Sequence, residues 1–151
     1  MGERREQYVH IQFALLADSV EIRPDGRLNV TAIGPFTIQA TQFPATVPEF
    51  SVVTRVRFDI GDDEAGELAV RVFAPNGAVV AERQSAVEAP PVIATRTADR
   101  TRTRVLTFFK VPLPVPGTYH VHVKLNGVDF LTRINFDVEL VAVGSVSTAG
   151  T

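Results

Sequence analysis

The sequence predicts an all-β chain folded as a single antiparallel β-sandwich, immunoglobulin-like or Greek-key in its connections, with about 8–9 strands and little or no helix. Three observations carry that expectation. An apolar period of about 3.6 residues never persists beyond a turn or two. Short apolar-alternating runs are instead punctuated by Pro-Asx-Gly, Pro-Gly and Asn-Gly turn signals roughly every eight to twelve residues. Finally, Val115 to Phe136 reads as a hairpin in which turn chemistry and side-chain pattern agree.

That hairpin organises the rest. Gly117 opens its first strand, and Asn126-Gly127 closes it with the pair that a type I′ turn demands, because both central residues need positive φ. The turn then fixes a register: Leu125 faces Val128, Val123 faces Phe130, Val121 faces Thr132 and Tyr119 faces Ile134. On the other face Lys124 meets Asp129, His122 meets Leu131 and His120 meets Arg133. One face is almost wholly apolar and the other mostly polar, which suits a strand pair covering a core. Pro-Gly-Thr-Tyr119 also has the form of a tyrosine corner, in which the hydroxyl bonds back to upstream backbone.

In chain order, residues 1–6 read as a frayed polar start, 7–143 as the sandwich and 144–151 as a small, polar, disordered tail. Tyr8 to Ala17 alternates as a strand, with Val9, Ile11, Phe13, Leu15 and Ala17 on one face and Tyr8, His10, Gln12, Ala14 and Leu16 on the other. Val20-Glu-Ile22 and Leu28 to Ile33 flank Pro24-Asp-Gly26, the recipe for a type I turn with a glycine bulge. Gly34-Pro35 breaks that strand and Phe36 to Gln39 resumes it. Phe43 to Pro48 carries two prolines and reads as a crossover between sheets. Phe50 to Phe58 is a long strand, and Glu67–Phe73 pairs with Ala78–Glu82 around a second turn, Pro75-Asn-Gly77. Residues 84–103 read as a long loop, and Arg104 to Val111 as the strand before the hairpin.

Composition limits what the chain does. Its 151 residues form one domain's worth, 45% hydrophobic and without cysteine, so disulfides and thiolate metal sites are excluded. A net charge of −2 gives no general attraction to nucleic acid or anionic membrane, and neither partner is expected. No signal peptide is read at the start, and two Lys against thirteen Arg suits a high-GC bacterial genome; the expectation is a soluble cytoplasmic protein.

No catalytic constellation emerges. Gly-x-Ser-x-Gly and glycine-rich phosphate loops are both missing, so no enzyme and no cofactor is expected. His120 and His122 share a strand face at a spacing some zinc sites use, but a third ligand is lacking and Arg133 opposes a dication; no metal site is assigned. Asp62, Asp63 and Glu64 lack the spaced pattern of a calcium loop and suit a solvated hairpin tip.

The unusual feature is charge layout. Asp59 to Glu67 holds five acids and no base, whereas Arg96, Arg100, Arg102, Arg104 and Lys110 face only Asp99. Two separately solvated loops is the plain reading of such runs. The functional readings are a site for an anionic partner or a complementary seam between protomers.

Leu16-Ala-Asp-Ser-Val20, Asp25-Gly-Arg-Leu-Asn-Val-Thr-Ala-Ile-Gly-Pro-Phe36 and Phe43-Pro-Ala-Thr-Val-Pro48, with the Pro-Gly-Thr-Tyr-His-Val close, resemble a group of small bacterial proteins of unknown function. The resemblance spans most of residues 13–130 and implies a single β-sandwich, without an activity or ligand to carry over. Together these readings lead to a non-enzymatic sandwich acting as a structural or protein-interaction module of a bacterial assembly, with a protein partner or self-association. The alternative is a binding module for a small anionic ligand held by the Arg-rich segment 96–110.

Overall fold

A computed structural model describes residues 9–34, 36–58, 66–88, 101–130 and 134–142. They form ten strands in two sheets, and no helix occurs among them. The first sheet contains β1 (Val9–Ile22), β2 (Leu28–Ile33), β4 (Ala45–Phe58) and β7 (Thr101–Leu113), in the order β2-β1-β4-β7. The second contains β3 (Thr37–Ala40), β5 (Gly66–Phe73), β6 (Val79–Val87), β8 (Gly117–Leu125) and β10 (Ile134–Leu140), in the order β3-β10-β8-β5-β6. A two-residue β9 (Val128–Asp129) pairs with β8. The sheets pack face to face, each contributing its apolar alternation to one core.

Both Pro-Asx-Gly turns fold identically, because the same three residues supply the same three constraints. Gly26 donates to Arg23 O and Gly77 to Ala74 O, both at 2.9 Å. The Asx side chains then accept from Arg27 N–H and Ala78 N–H, each at 3.0 Å. The glycines sit at φ +85° and +91°, where a Cβ is disfavoured. At the third turn Asn126 and Gly127 adopt φ +53° and +80°, the type I′ combination.

Aromatic rings tie the sheets together. Phe50 and Phe108 are cross-strand partners in the first sheet, with ring centroids 5.1 Å apart; Tyr119 and Phe136 are partners in the second, stacked at 5.3 Å. Phe50 meets Phe136 edge-on at 5.6 Å across the sandwich. Each fully buried side chain of this size contributes roughly 1.5–3 kcal/mol of transfer free energy.

Several local readings change. One pairing is parallel, β3 with β10, so the second sheet is mixed rather than wholly antiparallel. Ten strands appear because the segments on either side of Gly34-Pro35 join opposite sheets, and because the return strand of the hairpin is divided into β9 and β10. The register read from Asn126-Gly127 holds for Leu125/Val128 and Lys124/Asp129. Beyond Phe130 it has moved by two residues: Ile134 faces Val121, Asn135 faces His120 and Phe136 faces Tyr119. A shift of two preserves the face of every side chain, so the apolar pattern could not reveal it. His120 therefore meets Asn135 rather than Arg133.

Irregular positions account for the rest. A bulge between Ile11 and Phe13 turns Phe13 outward and Ala14 and Leu16 inward, so β1 does not keep one alternation. Pro48 lies inside β4 rather than in a crossover, and the β4–β7 ladder skips it and Lys110 opposite, whose φ is +54°. On both strands the buried positions change parity there, from Val47 to Phe50 and from Phe108 to Val111. Strand β6 runs to Val87 and β7 begins at Thr101, so the loop expected over 84–103 is shorter at both ends.

Candidate functional site

Three surfaces present chemistry that the core does not use. The first is the open side where edge strands β6 and β7 of opposite sheets run beside each other. Arg83 of β6 donates to Thr107 O of β7 at 2.9 Å. Arg102 and Arg104 of β7 donate back to Glu88 O and Ala86 O, at 3.2 and 3.4 Å. Guanidinium forks thereby satisfy edge carbonyls that strand pairing leaves open, and close this side of the sandwich. Arg102 and Arg104 are thus brought together, but toward backbone of the same chain. Lys110 lies apart from them, exposed at the β4–β7 irregularity. Arg96, Arg100, Asp62, Asp63 and Glu64 lie outside the described residues, as do both terminal segments.

The second surface is a shallow depression of about 130 Å³ on the outer face of the second sheet, lined by Ala69, Arg71, Phe73, His122, Lys124 and Asp129. Ala69 sits directly opposite Lys124 and Arg71 opposite His122, so the small side chain leaves a dent between longer ones. The His122 ring packs against Phe73 at 4.6 Å. Arg71 Nε meets Glu82 Oε2 at 3.0 Å, and Lys124 Nζ is 4.0 Å from Asp129 Oδ1. Each cation thus already has a carboxylate, in solvated pairs worth at most about 1 kcal/mol. Among the described residues no group of three or more His, Cys, Asp or Glu side chains is placed to hold a metal ion.

The third surface was missed by the sequence reading. Strand β1 pairs with β4 only as far as Ala17/Ser51, and beyond that point it pairs with β2 alone. Asp18–Ile22 and Leu28–Thr31 therefore form a two-stranded ribbon joined to the sheet through β1. Its cross-strand pairs are Val20/Val30 and Ile22/Leu28 on one face, and Ser19/Thr31 and Glu21/Asn29 on the other. The aliphatic face resumes the parity of Ala14 and Leu16 beyond the exposed Asp18, which shares it; Val20, Leu28 and Val30 are half-buried, and none of the four residues belongs to the core cluster. Ile22 is 67% exposed. The signal was present: the Pro24-Asp-Gly26 turn fixes this register just as Asn126-Gly127 fixes its own. What the sequence could not supply was where β4 stops covering β1.

The residues that shape the hairpin have structural partners. Gly117, at φ +132°, lies so close to Pro75 that an added Cβ would stand 2.7 Å from its Cγ. Tyr119 is fully buried, and its hydroxyl donates to Val115 O at 2.6 Å and accepts from Val115 N–H at 3.3 Å. Burial pushes the phenol above its ordinary pKa, and the Val115 hydrogen bond pulls it partly back. Asn126 Oδ1 accepts from Glu67 N–H at 2.8 Å while Asn126 N–H donates to Glu67 O at 2.9 Å, tying the turn to the start of β5.

The model of a family of unknown function, DUF6941, matches residues 12–139. The chain belongs to that family. No curated protein matches the sequence. Among solved structures, this DUF6941 chain is similar to Pseudomonas fluorescens alkylpurine DNA glycosylase AlkC bound to DNA containing an abasic site analog, with 11% identity and a TM-score of 0.49 over 87% of this chain and 30% of that one. It is similar also to a β-glucosidase from Listeria innocua in complex with isofagomine, with 10% identity and a TM-score of 0.46 over 89% of this chain and 17% of that one. A third similarity is to the C-terminal domain of wzt, with 14% identity and a TM-score of 0.45 over 94% and 84% of the two chains. The DUF6941 chain thus spans less than a third of the first two proteins it resembles. Among the described residues no helix is long and apolar enough to cross a membrane.

Proposed function

We propose that this DUF6941 protein is a non-enzymatic interaction module of a bacterial, cytoplasmic assembly, and that the β1–β2 ribbon is its working part. The observation that carries this is the aliphatic face of Val20, Ile22, Leu28 and Val30, displayed on a ribbon that the core does not cover. A two-stranded ribbon is marginal by itself, so an apolar face maintained there gains most when a partner covers it. The strand order β3-β10-β8-β5-β6 against β2-β1-β4-β7, with a buried tyrosine on β8, supports an immunoglobulin-like reading of the scaffold. A photoreactive amino acid at position 22 tests the assignment in the source cells. It should cross-link to protein, whereas the same group at exposed Val128 should not; adducts from 128 alone, or from neither, contradict it.

A second reading, a small anionic ligand, draws support from the depression rather than from segment 96–110. Arg71, Lys124 and His122 converge there, whereas Arg102 and Arg104 donate to carbonyls of β6. Inorganic phosphate titrated into the protein should then move the His122 ring resonances saturably. Unchanged resonances dispose of this reading.

A further inference from the structure

The outer face of a sheet in a two-layer sandwich is ordinarily polar. That of the second sheet is so, carrying Arg71, Glu82, His122 and Lys124. That of the first sheet is not. Its middle row is Leu15, Val53 and Val105, paired across β1, β4 and β7. Phe13 stands to one side of that row and is 38% exposed; Phe109 stands to the other and is 61% exposed. Ala17, Ser51 and Val53 are buried on this face, although none belongs to the core cluster. Along β4 the outward positions read Glu49, Ser51, Val53, Arg55 and Arg57: an acid at one end, an apolar middle and two bases at the other. The ion pairs among the described residues are Arg23–Asp25, Arg71–Glu82 and Lys124–Asp129, so none of these three charges is paired there. An apolar centre with charge at its rim is the anatomy of a protein interface.

We infer that the first sheets of two copies of this chain stack outer face to outer face, about a twofold axis that lies in the contact plane and crosses β4 at Val53, so that facing strands run antiparallel. The contact is independent of the ribbon, whose aliphatic side chains project from the opposite side of the sheet. Charge layout is what selects a second copy as the occupant. A strand with an acid at one end and bases at the other is complementary to itself once reversed, and a twofold axis makes that reversal. Each position then meets the one equally far from Val53 in the other direction. Glu49 of each copy lies against the partner's Arg57, giving two ion pairs per dimer. Sizes fit the same arrangement. In the middle row Leu15 meets Leu15 and Val105 meets Val105, while the large Phe13, beside Arg55, lies over the small Ala17, beside Ser51. A parallel stacking of the same faces sets Glu49 on Glu49, Arg57 on Arg57 and Phe13 on Phe13.

The test uses the full chain, charge reversals and cysteine placements. By light scattering at high concentration the purified protein should run at twice its 16.4 kDa chain mass. Glu49→Arg and Arg57→Glu should each weaken association by about tenfold or more, because both ion pairs of the dimer become like-charge contacts. Both residues are exposed, so urea midpoints at the parent's value will show that the fold is intact. The two reversals combined in one chain should restore the parent's affinity. The chain has no cysteine, so single substitutions locate the axis. Positions 105 of the two copies face each other across the roughly 10 Å between stacked sheets, whereas positions 101 lie eight residues apart along the strands, roughly 27 Å. A short bis-maleimide should therefore join chains carrying Val105→Cys and fail on Thr101→Cys. A parent at the one-chain mass throughout, reversals that associate as tightly as the parent, a double reversal that stays apart, or equal joining from 101 and 105 would each overturn the inference. A one-chain parent that still cross-links to protein from position 22 would overturn the stacking while leaving the ribbon's role standing.

Discussion

Replacing Tyr119 by Phe isolates one hydroxyl. The ring is fully buried and stacked at 5.3 Å on Phe136, and Phe keeps that contact, so the apolar contribution is unchanged. What disappears is a donor to Val115 O at 2.6 Å and an acceptor for Val115 N–H at 3.3 Å. Val115 is half-buried, so water replaces those partners only in part. Leaving buried backbone groups without partners costs about 1–3 kcal/mol. With a urea m-value of about 1–3 kcal/mol/M for a small domain, the midpoint should fall by roughly 1 M with the slope unchanged. Alkaline pH supplies a second readout. The folded phenol has a raised pKa, so the unfolded chain releases its proton first, near pH of about 10. The stability it contributes is complete below that value and is lost as pH climbs toward the folded pKa, and Tyr119→Phe should flatten that decline. Superimposable urea curves for the two proteins would refute the reasoning.

Other positions give independent tests. Thr54 Oγ1 is buried without a hydrogen-bond partner, so the near-isosteric Thr54→Val should raise stability by about 1 kcal/mol in urea. Gly117→Ala combines a φ of +132° with a Cβ 2.7 Å from Pro75, and it should lower the thermal midpoint by several degrees or prevent folding. Asn126→Gly keeps the positive φ but removes the acceptor for Glu67 N–H, and should cost about 1 kcal/mol by urea unfolding.

Turn chemistry is what made the fold legible. Pro24-Asp-Gly26, Pro75-Asn-Gly77 and Asn126-Gly127 each determine a local register from two or three residues, and each folds as those residues require. Period-two alternation then separated the core face from solvent along β5 and β8, where burial strictly alternates at most positions. The features that escaped are those that local pattern does not encode. The bulge after Ile11, the left-handed Lys110 opposite Pro48 and the two-residue shift after Phe130 depend on neighbouring strands. The parallel partnership of β3 and β10 joins residues about a hundred positions apart, which no turn specifies.

The surfaces follow the same division. Arg102 and Arg104 stood out by charge, but their partners are carbonyls of β6, and carbonyls leave no trace in side-chain pattern. The depression needed Ala69 beside Lys124, a juxtaposition set by the β5–β8 register. The ribbon's face was written across its turn. Its lack of cover was decided by β1 parting from β4 after Ala17/Ser51.

Amide hydrogen exchange on the full chain, read residue by residue in dilute buffer and again in extract of the source cells, tests the ribbon's role most directly. In buffer the outward amides of residues 28–31 should exchange quickly, while those of β5 and β8 stay protected by the core. In extract, exchange at residues 18–22 and 28–31 should slow by about tenfold or more, as a covered edge requires, and Ile22→Ser with Leu28→Ser should abolish that change. Ribbon amides that exchange equally fast in buffer and extract, with protection appearing at the β6–β7 side or the depression instead, would contradict the account.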